Sequence, residues 1–313
     1  MFLALKVDVD TLRGTREGVP ALLRLFDRHQ VRATFLFSLG PDHTGRALRR
    51  IFRRGFLNKV GRTSVLSHYG LKTLLYGVLL PGPHIGRQTS AILRAAASAG
   101  HEIGIHCHDH VLWQDNVAQQ DQAWTRQEMA KACVVYEEIF GHPARVHGAA
   151  GWQMNGHALA LEEAFGFTHA SDTRGTHPFL PIMDGIRSSC IQLPTTLPTL
   201  DEWIGRQGIT PDTVQETILS ASRTPLPHGH VYTLHAELEG MKLLPVMEAL
   251  LQGWQQAGYS LGTLADLKER LTIETLPRHA VTWGQVEGRS GMLAVQGTVA
   301  ADAATTINPY DAR

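Results

Sequence analysis

Short strand-like runs recur along this chain at residues 2–9, 31–37, 102–106, 144–148, 167–171, 189–193 and 229–235. They alternate with helical stretches such as 88–99, 125–140, 155–165, 212–222 and 243–257. That alternation is the rhythm of repeated β/α units, and it predicts an α/β fold on a parallel sheet or barrel. The 313 residues allow one large or two modest domains, and a hydrophobic fraction of 43% suits a protein with a sizeable core. The chain shows neither a solenoid-type repeat nor a low-complexity run.

Folds of this class place their chemistry where strands give way to loops at their C-terminal ends, and the polar clusters of this chain fall there. Glu102 to Ile105 alternates polar and apolar after the turn signal Ala99-Gly100, then runs into His106-Cys107-His108-Asp109-His110. Three imidazoles and a carboxylate this close together suggest a metal site; the competing reading is a polar loop whose histidines bond to backbone. Histidines four apart face the same way on a helical turn and histidines two apart do so on an extended one. Spacing therefore leaves His106/His110, His106/His108 and His108/His110 all open. A second cluster closes the first strand as Val7-Asp8-Val9-Asp10. Both carboxylates lie on one face, about 6–7 Å apart, so one can bind a metal while the other reaches a water. Capping the next helix, Val19 to Asp27 beyond a turn-like Thr11 to Gly18, needs only one of them. Further along, Ala149-Ala150-Gly151-Trp152, Ser171-Asp172-Thr173-Arg174-Gly175 and Tyr232-Thr233-Leu234-His235-Ala236-Glu237 each follow a strand-like run. A lone histidine such as His235 is more often a core residue, but its recurrence beside acidic and histidine clusters of other units points to a shared mouth.

Net charge is zero, which excludes a strongly basic nucleic-acid binder, yet the charge is unevenly spread. From His43 through His101 there is no Asp or Glu, while Arg46, Arg49, Arg50, Arg53, Arg54, Lys59, Arg62, Lys72, Arg87 and Arg94 are interleaved with apolar residues. A basic amphipathic segment of this kind can lie in the interface of an anionic membrane; the alternative is a solvated helix on an elaborated loop. Leu71 to Leu80 is too short to span a bilayer, which needs roughly 20 apolar residues. The N-terminus has no secretory pattern, and Asp8 and Asp10 would be lost with any leader. Cys107, Cys133 and Cys190 form an odd, scattered set without framework spacing. Both features predict the cytoplasm.

The order of Val7-Asp8-Val9-Asp10, Ala33-Thr34-Phe35-Leu36-Phe37, His106 to His110, Ser171-Asp172 and Leu234-His235 resembles the motifs of the polysaccharide deacetylase family, metal-dependent carbohydrate esterases with a distorted parallel β/α barrel. The resemblance covers roughly residues 1–270. It implies a catalytic domain over 1–270, with a basic, partly apolar, membrane-associating insertion over 41–87 after the second strand. A C-terminal extension over 271–313 would follow, its Ala- and Thr-rich later part mobile.

Residue by residue, the resemblance implies that Asp10, His106 and His110 hold one divalent metal ion, with Asp8 as general base and His235 as general acid oriented by Asp172. His108 and Asp109 fall in variable positions. Two imidazoles and a carboxylate leave coordination positions open, and zinc, cobalt, nickel, manganese and iron(II) all tolerate the set. One departure stands out: where the family has an arginine touching the base, this chain has His147 and Gly148, and Arg174 is expected to fill that place. Trp152 is expected to wall the pocket, or else to be core packing.

Within the family, Asp8 to Pro20, the basic insertion, Ala149 to Trp152 and Leu197 to Glu202 are most similar to members that remove formate from undecaprenyl-phosphate-linked 4-deoxy-4-formamido-L-arabinose. That reaction serves aminoarabinose modification of lipid A and resistance to polymyxin. The expected enzyme is thus a peripheral amide hydrolase on the cytoplasmic face of the inner membrane, with Arg46, Arg49, Arg50 and Arg53 pairing with the phosphodiester. Family motifs fix the reaction better than the substrate, so deacetylation of another N-acylated sugar or amide is the alternative. A non-catalytic membrane-bound sugar-lipid binder is a third, against which the joint retention of Asp8, Asp10, His106, His110 and His235 argues.

Overall fold

The computed structural model describes residues 1–47 and 71–300. Among them are β1 (Phe2–Val9), β2 (Thr34–Ser38), β3 (Glu102–Cys107), β4 (Val146–His147), β5 (His169–Ala170), β6 (Leu180–Met183), β7 (Ile186–Arg187), β8 (Ile191–Gln192), β9 (His230–His235), β10 (Ser260–Gly262), β11 (Arg278–Gly284) and β12 (Leu293–Val299). Eight of these form one parallel sheet in the order β10-β1-β2-β3-β4-β5-β8, with β9 also on β1. Parallel neighbours need long crossovers, and the helices Val19–Arg28, Ile85–Ser98, Gln122–Phe140, Gly156–Ala164, Val214–Ser222 and Leu244–Gln256 lie in those connections. Every residue of β1 is buried, as expected of a strand covered on both faces. The sheet curls until the chain after β8 meets β9. There the Thr196 and Leu197 N–H groups both donate to the Val231 carbonyl, at 3.1 and 3.3 Å. Side-chain bonds, such as that between the Thr195 and Thr233 hydroxyls at 2.7 Å, complete this seam in place of a backbone ladder, which makes the barrel distorted, as the sequence reading expected.

Helix ends follow their local chemistry. The long helix Gln122–Phe140 starts where the Asp121 carboxylate accepts from Trp124 N–H and stops at Gly141, whose φ of 76° reverses the chain. Its buried face carries Met129, Ala132, Val135, Tyr136 and Ile139, and the Tyr136 hydroxyl donates to the Ile103 carbonyl of β3 at 3.2 Å.

Two segments differ from their sequence reading. Residues 11–18, read as turn-like, instead form a π-helical turn, Gly14–Gly18, leading into Val19–Arg28. Two glycines read as a break because of their poor helix propensity, but here they serve close approach. A Cβ on Gly14 would lie 2.0 Å from Glu237 Oε1, and one on Gly18 would lie 2.1 Å from the Ala236 carbonyl oxygen. The C-terminal extension, in which the sequence reading placed no element, carries the strands β11 and β12. Strands β12-β11-β6-β7 form a second sheet that joins this segment to the excursion between β5 and β8. This sheet is tied to the barrel mouth: Arg174 N–H donates to the Ala294 carbonyl at 3.0 Å, and Gln296 N–H to the Arg174 carbonyl at 2.7 Å. Residues 48–70, with Arg49, Arg50 and Arg53, lie outside the described residues, as do 301–313.

Candidate metal centre

The mouth is built by the C-terminal ends of β1, β3 and β9. Parallel register sets Asp8 beside His235. Beyond β3 the chain turns helical at once, because the Asp109 carboxylate caps the helix His110–Asn116, accepting from Leu112 N–H at 3.1 Å. A 2.5 Å bond from His43 Nδ1 secures the other Asp109 oxygen. This helical turn brings His110 over His106, with ring centroids 5.3 Å apart. His108 points elsewhere, toward His84 and Glu128. Burial first, and then the positive charges of His84 and Lys131, hold the His108 pKa down to about 4. Of the histidine pairs left open by spacing, the fold brings together His106 and His110.

Asp10 Oδ1 lies 3.3 Å from His106 Nε2 and 3.4 Å from His110 Nε2, and the three donor atoms are within 4.8 Å of one another. The His106 tautomer is set by its surroundings. Nδ1 is 2.6 Å from the Gly148 carbonyl, which can only accept, so Nδ1 carries the proton and Nε2 presents a lone pair. Asp10 Oδ1 is buried without a hydrogen-bond donor among the described residues. A lone pair facing a carboxylate oxygen in a buried site is repulsive, and a divalent cation relieves it. The donor set, two imidazole nitrogens and one carboxylate oxygen, fits such an ion and supplies fewer ligands than the four or more it takes. Burial alone would raise the Asp10 pKa, but positive charge here, on His110 first and then on His106 and His235 when these rings are protonated, outweighs it and holds the carboxyl well below its usual range, so that Asp10 stays anionic for a cation.

Asp8 is almost wholly buried, with Oδ1 lacking a donor among the described residues. The cation beside it is Lys6: Nζ lies 3.4 Å from Asp8 Oδ2, donates to the Ser171 carbonyl at 2.9 Å and sits 5.3 Å from the Trp152 ring centroid. Lys6 has no exposed surface. This corrects the expectation for Arg174, which pairs with Glu202 and donates to the Leu197 carbonyl at 3.1 Å. The signal for Lys6 was in the sequence, since residues two apart on a strand share a face.

Trp152 is also corrected in part. At 2% exposure its ring is covered by Lys6, Arg174 and Arg289, the two guanidiniums 5.1 and 4.7 Å from the centroid. It organises three cations behind the site instead of facing solvent. Its φ of 52°, uncommon for so bulky a residue, is held by that packing.

His235 Nδ1 is buried without a partner among the described residues. Burial lowers the His235 pKa, but Asp201, Asp10 and Glu239 outweigh that effect and raise it. The expected partner, Asp172, is engaged elsewhere. It accepts from Ala149 N–H at 2.6 Å, from Gln192 Nε2 at 2.5 Å and from His147 Nδ1 at 3.0 Å. Asp201, which sequence reasoning did not assign, supplies the strongest carboxylate pull on His235 and is itself held by Arg289 at 2.9 Å. Its segment reads as a capping box, Thr199 with Glu202, which hides a second role. Glu237 is the other unassigned residue: Oε1 accepts from Asp10 N–H, Thr11 N–H and the Thr11 hydroxyl at 3.1, 2.9 and 2.8 Å, pinning the loop after β1. Burial and the Asp10 charge push its pKa up to about 8.

Residues 4–170 match the family described as polysaccharide deacetylase. A probable 4-deoxy-4-formamido-L-arabinose-phosphoundecaprenol deformylase ArnD of Shewanella sediminis is 35% identical over 298 residues, 95% of each chain. One of the same description from Wigglesworthia glossinidia brevipalpis is 32% identical over 90% of this chain and 98% of its own. Among solved structures, a putative polysaccharide deacetylase from Mycobacterium smegmatis superposes with a TM-score of 0.63 at 18% identity, covering 91% of this chain and 94% of its own. A probable polysaccharide deacetylase from Pseudomonas aeruginosa PAO1 does so at 0.56 and 17%, covering 85% and 89%. The last two establish likeness of fold.

Proposed function

Because the chain belongs to the polysaccharide deacetylase family, we propose that it is a divalent-metal amide hydrolase that removes formate from undecaprenyl-phosphate-linked 4-deoxy-4-formamido-L-arabinose. The step belongs to aminoarabinose modification of lipid A and so to polymyxin resistance. The single observation that carries the reaction class is the convergence of Asp10, His106 and His110 beside Asp8 and His235. The substrate rests on the full-length similarity to the two deformylase-named relatives.

When bound, a divalent ion polarises a carbonyl and makes water more acidic. The chain's own groups supply the rest. Asp8 Oδ1, buried and without a donor among the described residues, takes a proton from water as its oxygen adds to the formamide carbon. Lys6 holds that carboxylate in place through Oδ2. The carbon–nitrogen bond then breaks, and His235, whose pKa is raised by Asp201, Asp10 and Glu239 against the effect of burial, gives its proton to the departing sugar nitrogen. Formate and a free amine are the products.

The membrane side rests on the basic stretch. Val78, Leu79 and Leu80 are 43%, 75% and 39% exposed, and the adjoining Gly77 carbonyl accepts from the exposed Arg46 at 3.2 Å. An apolar tip beside arginine suits the interface of an anionic bilayer, and we place the enzyme peripherally on the cytoplasmic face of the inner membrane. Arg46, Arg49, Arg50 and Arg53 are proposed to meet lipid and substrate phosphate. Among the described residues no helix is long and apolar enough to cross a membrane.

The test is mass spectrometry of the formamido lipid after incubation with metal-loaded protein, beside the acetamido counterpart. Loss of formyl from the first alone is expected. Turnover of the acetamido lipid alone would make the protein a deacetylase, and turnover of neither would make it a binder.

A further inference from the structure

We infer that Asp172 is a positioning residue for His106, acting through the single peptide group between Gly148 and Ala149. The inference rests on the reading of His106 as a metal ligand. The carbonyl of that peptide accepts the His106 Nδ1 proton at 2.6 Å, and its N–H donates to Asp172 Oδ1 at 2.6 Å. One planar amide therefore has the imidazole at one end and a carboxylate at the other.

A carboxylate drawing on an amide N–H shifts electron density toward the amide oxygen and makes it a better acceptor. Chains of buried hydrogen bonds polarise one another in this way. The stronger the pull on Nδ1–H, the more basic Nε2 becomes and the more firmly the ring is fixed. Outer partners of ligating histidines act through this effect, with the carboxylate usually in direct contact; here a peptide intervenes.

Three features keep the relay aligned. The peptide is closely packed, since a Cβ on Gly148 would lie 2.3 Å from Leu36 Cδ1, and hydrogen bonds hold it at both ends. Gln192 holds Asp172 twice, Nε2 donating to Oδ2 at 2.5 Å and Oε1 accepting from the Asp172 N–H at 3.1 Å. Behind them His147 Nδ1 faces Asp172 Oδ1 at 3.0 Å and Glu162 Oε1 at 2.8 Å, all three residues buried. Burial lowers the His147 pKa, but Asp172 and Glu162 outweigh it and lift it to about 10. Burial and the Asp172 charge push Glu162 well up. The cluster thus holds an imidazolium, a neutral Glu162 and one carboxylate, Asp172, aimed at the peptide.

Three variants separate relay from packing. Asp172→Asn keeps an oxygen for the Ala149 N–H and removes the charge. Ala149→Pro, at a residue whose φ of −61° already suits the ring, deletes the N–H and leaves Asp172, His147 and Glu162 in place. Glu162→Gln mimics the neutral Glu162 and spares the peptide. Two readouts apply: the zinc dissociation constant by competition with a chromophoric chelator, and the His106 Nδ1–H resonance in metal-free, nitrogen-15 histidine-labelled protein. The first two variants should weaken zinc roughly 10–100-fold and move the resonance upfield, while Glu162→Gln leaves both near wild type. An unmoved resonance in Asp172→Asn and Ala149→Pro would overturn the relay. So would equal changes in all three variants that track their melting temperatures. Wild-type protein that binds no zinc, cobalt or manganese would sink the metal-centre reading instead, and the metal-free resonance would still decide the relay.

Discussion

Replacing Lys6 by Met is the sharpest probe of how the mouth is held. The substitution keeps the length of the buried stem and removes only the ammonium, which touches Asp8 Oδ2 at 3.4 Å, the Ser171 carbonyl at 2.9 Å and the Trp152 face. At 3.4 Å and an effective dielectric near 20 the bare attraction to Asp8 is about 5 kcal/mol. Much of that offsets desolvation of both ions, so the pair itself adds little net stability. Removing one partner is another matter, because it strands a buried carboxylate, at about 3–5 kcal/mol. Lys6→Met should therefore destabilise the protein by about that amount, and Lys6→Met/Asp8→Asn should recover about 2–3 kcal/mol of it. Urea unfolding of wild type, both single variants and the double variant, all with chelator present to remove metal linkage, gives the cycle. A loss below about 1 kcal/mol in Lys6→Met, with coupling within the roughly 0.3–0.5 kcal/mol of independent sites, would refute the reasoning. Asp8 would then depend on some cation other than Lys6.

Asp10→Ala, His106→Ala and His110→Ala should each abolish stoichiometric metal while His108→Ala keeps it; metal analysis of a metal-free His108→Ala beside a loaded His110→Ala would show the wrong histidine was chosen. Asp201→Asn should move the alkaline limb of the kcat profile to lower pH, because Asp201 is the leading charge that raises the His235 pKa; an unmoved limb would detach Asp201 from the acid. For stability, the folded His147 pKa of about 10 lies above its ordinary 6.5. The folded state thus holds that proton more tightly, and the stabilisation is complete below pH 6.5 and disappears as pH rises through 10. The unfolding free energy from urea titrations should fall over that window by an amount on the order of a few kcal/mol, and His147→Gln should flatten the slope; equal slopes would assign the loss to other groups.

The alternation of strands and helices was legible because helix and strand periodicities are local: β1, β3 and β9 lie within a residue or two of their sequence reading. The same holds for the acidic and histidine clusters at strand ends, and Lys6, two before Asp8 on one strand, was within reach of that rule. What the sequence left open were choices made across the barrel. Whether His108 or His110 joins His106 depends on a helix starting at Asp109, which the bond from His43 helps to secure. That His235 answers to Asp201 and not Asp172 follows from how the chain after β8 closes onto β9, which a motif order does not encode. Strands β11 and β12 escaped notice because the strand that pairs with β11, β6, lies about a hundred residues upstream, and neither segment has a face to bury until the other arrives. Local pattern determines which elements form and which polar groups their ends carry. Only tertiary packing decides which of those groups meet, because burial strengthens each charge and leaves it to whichever partner the strand order brings within 4 Å.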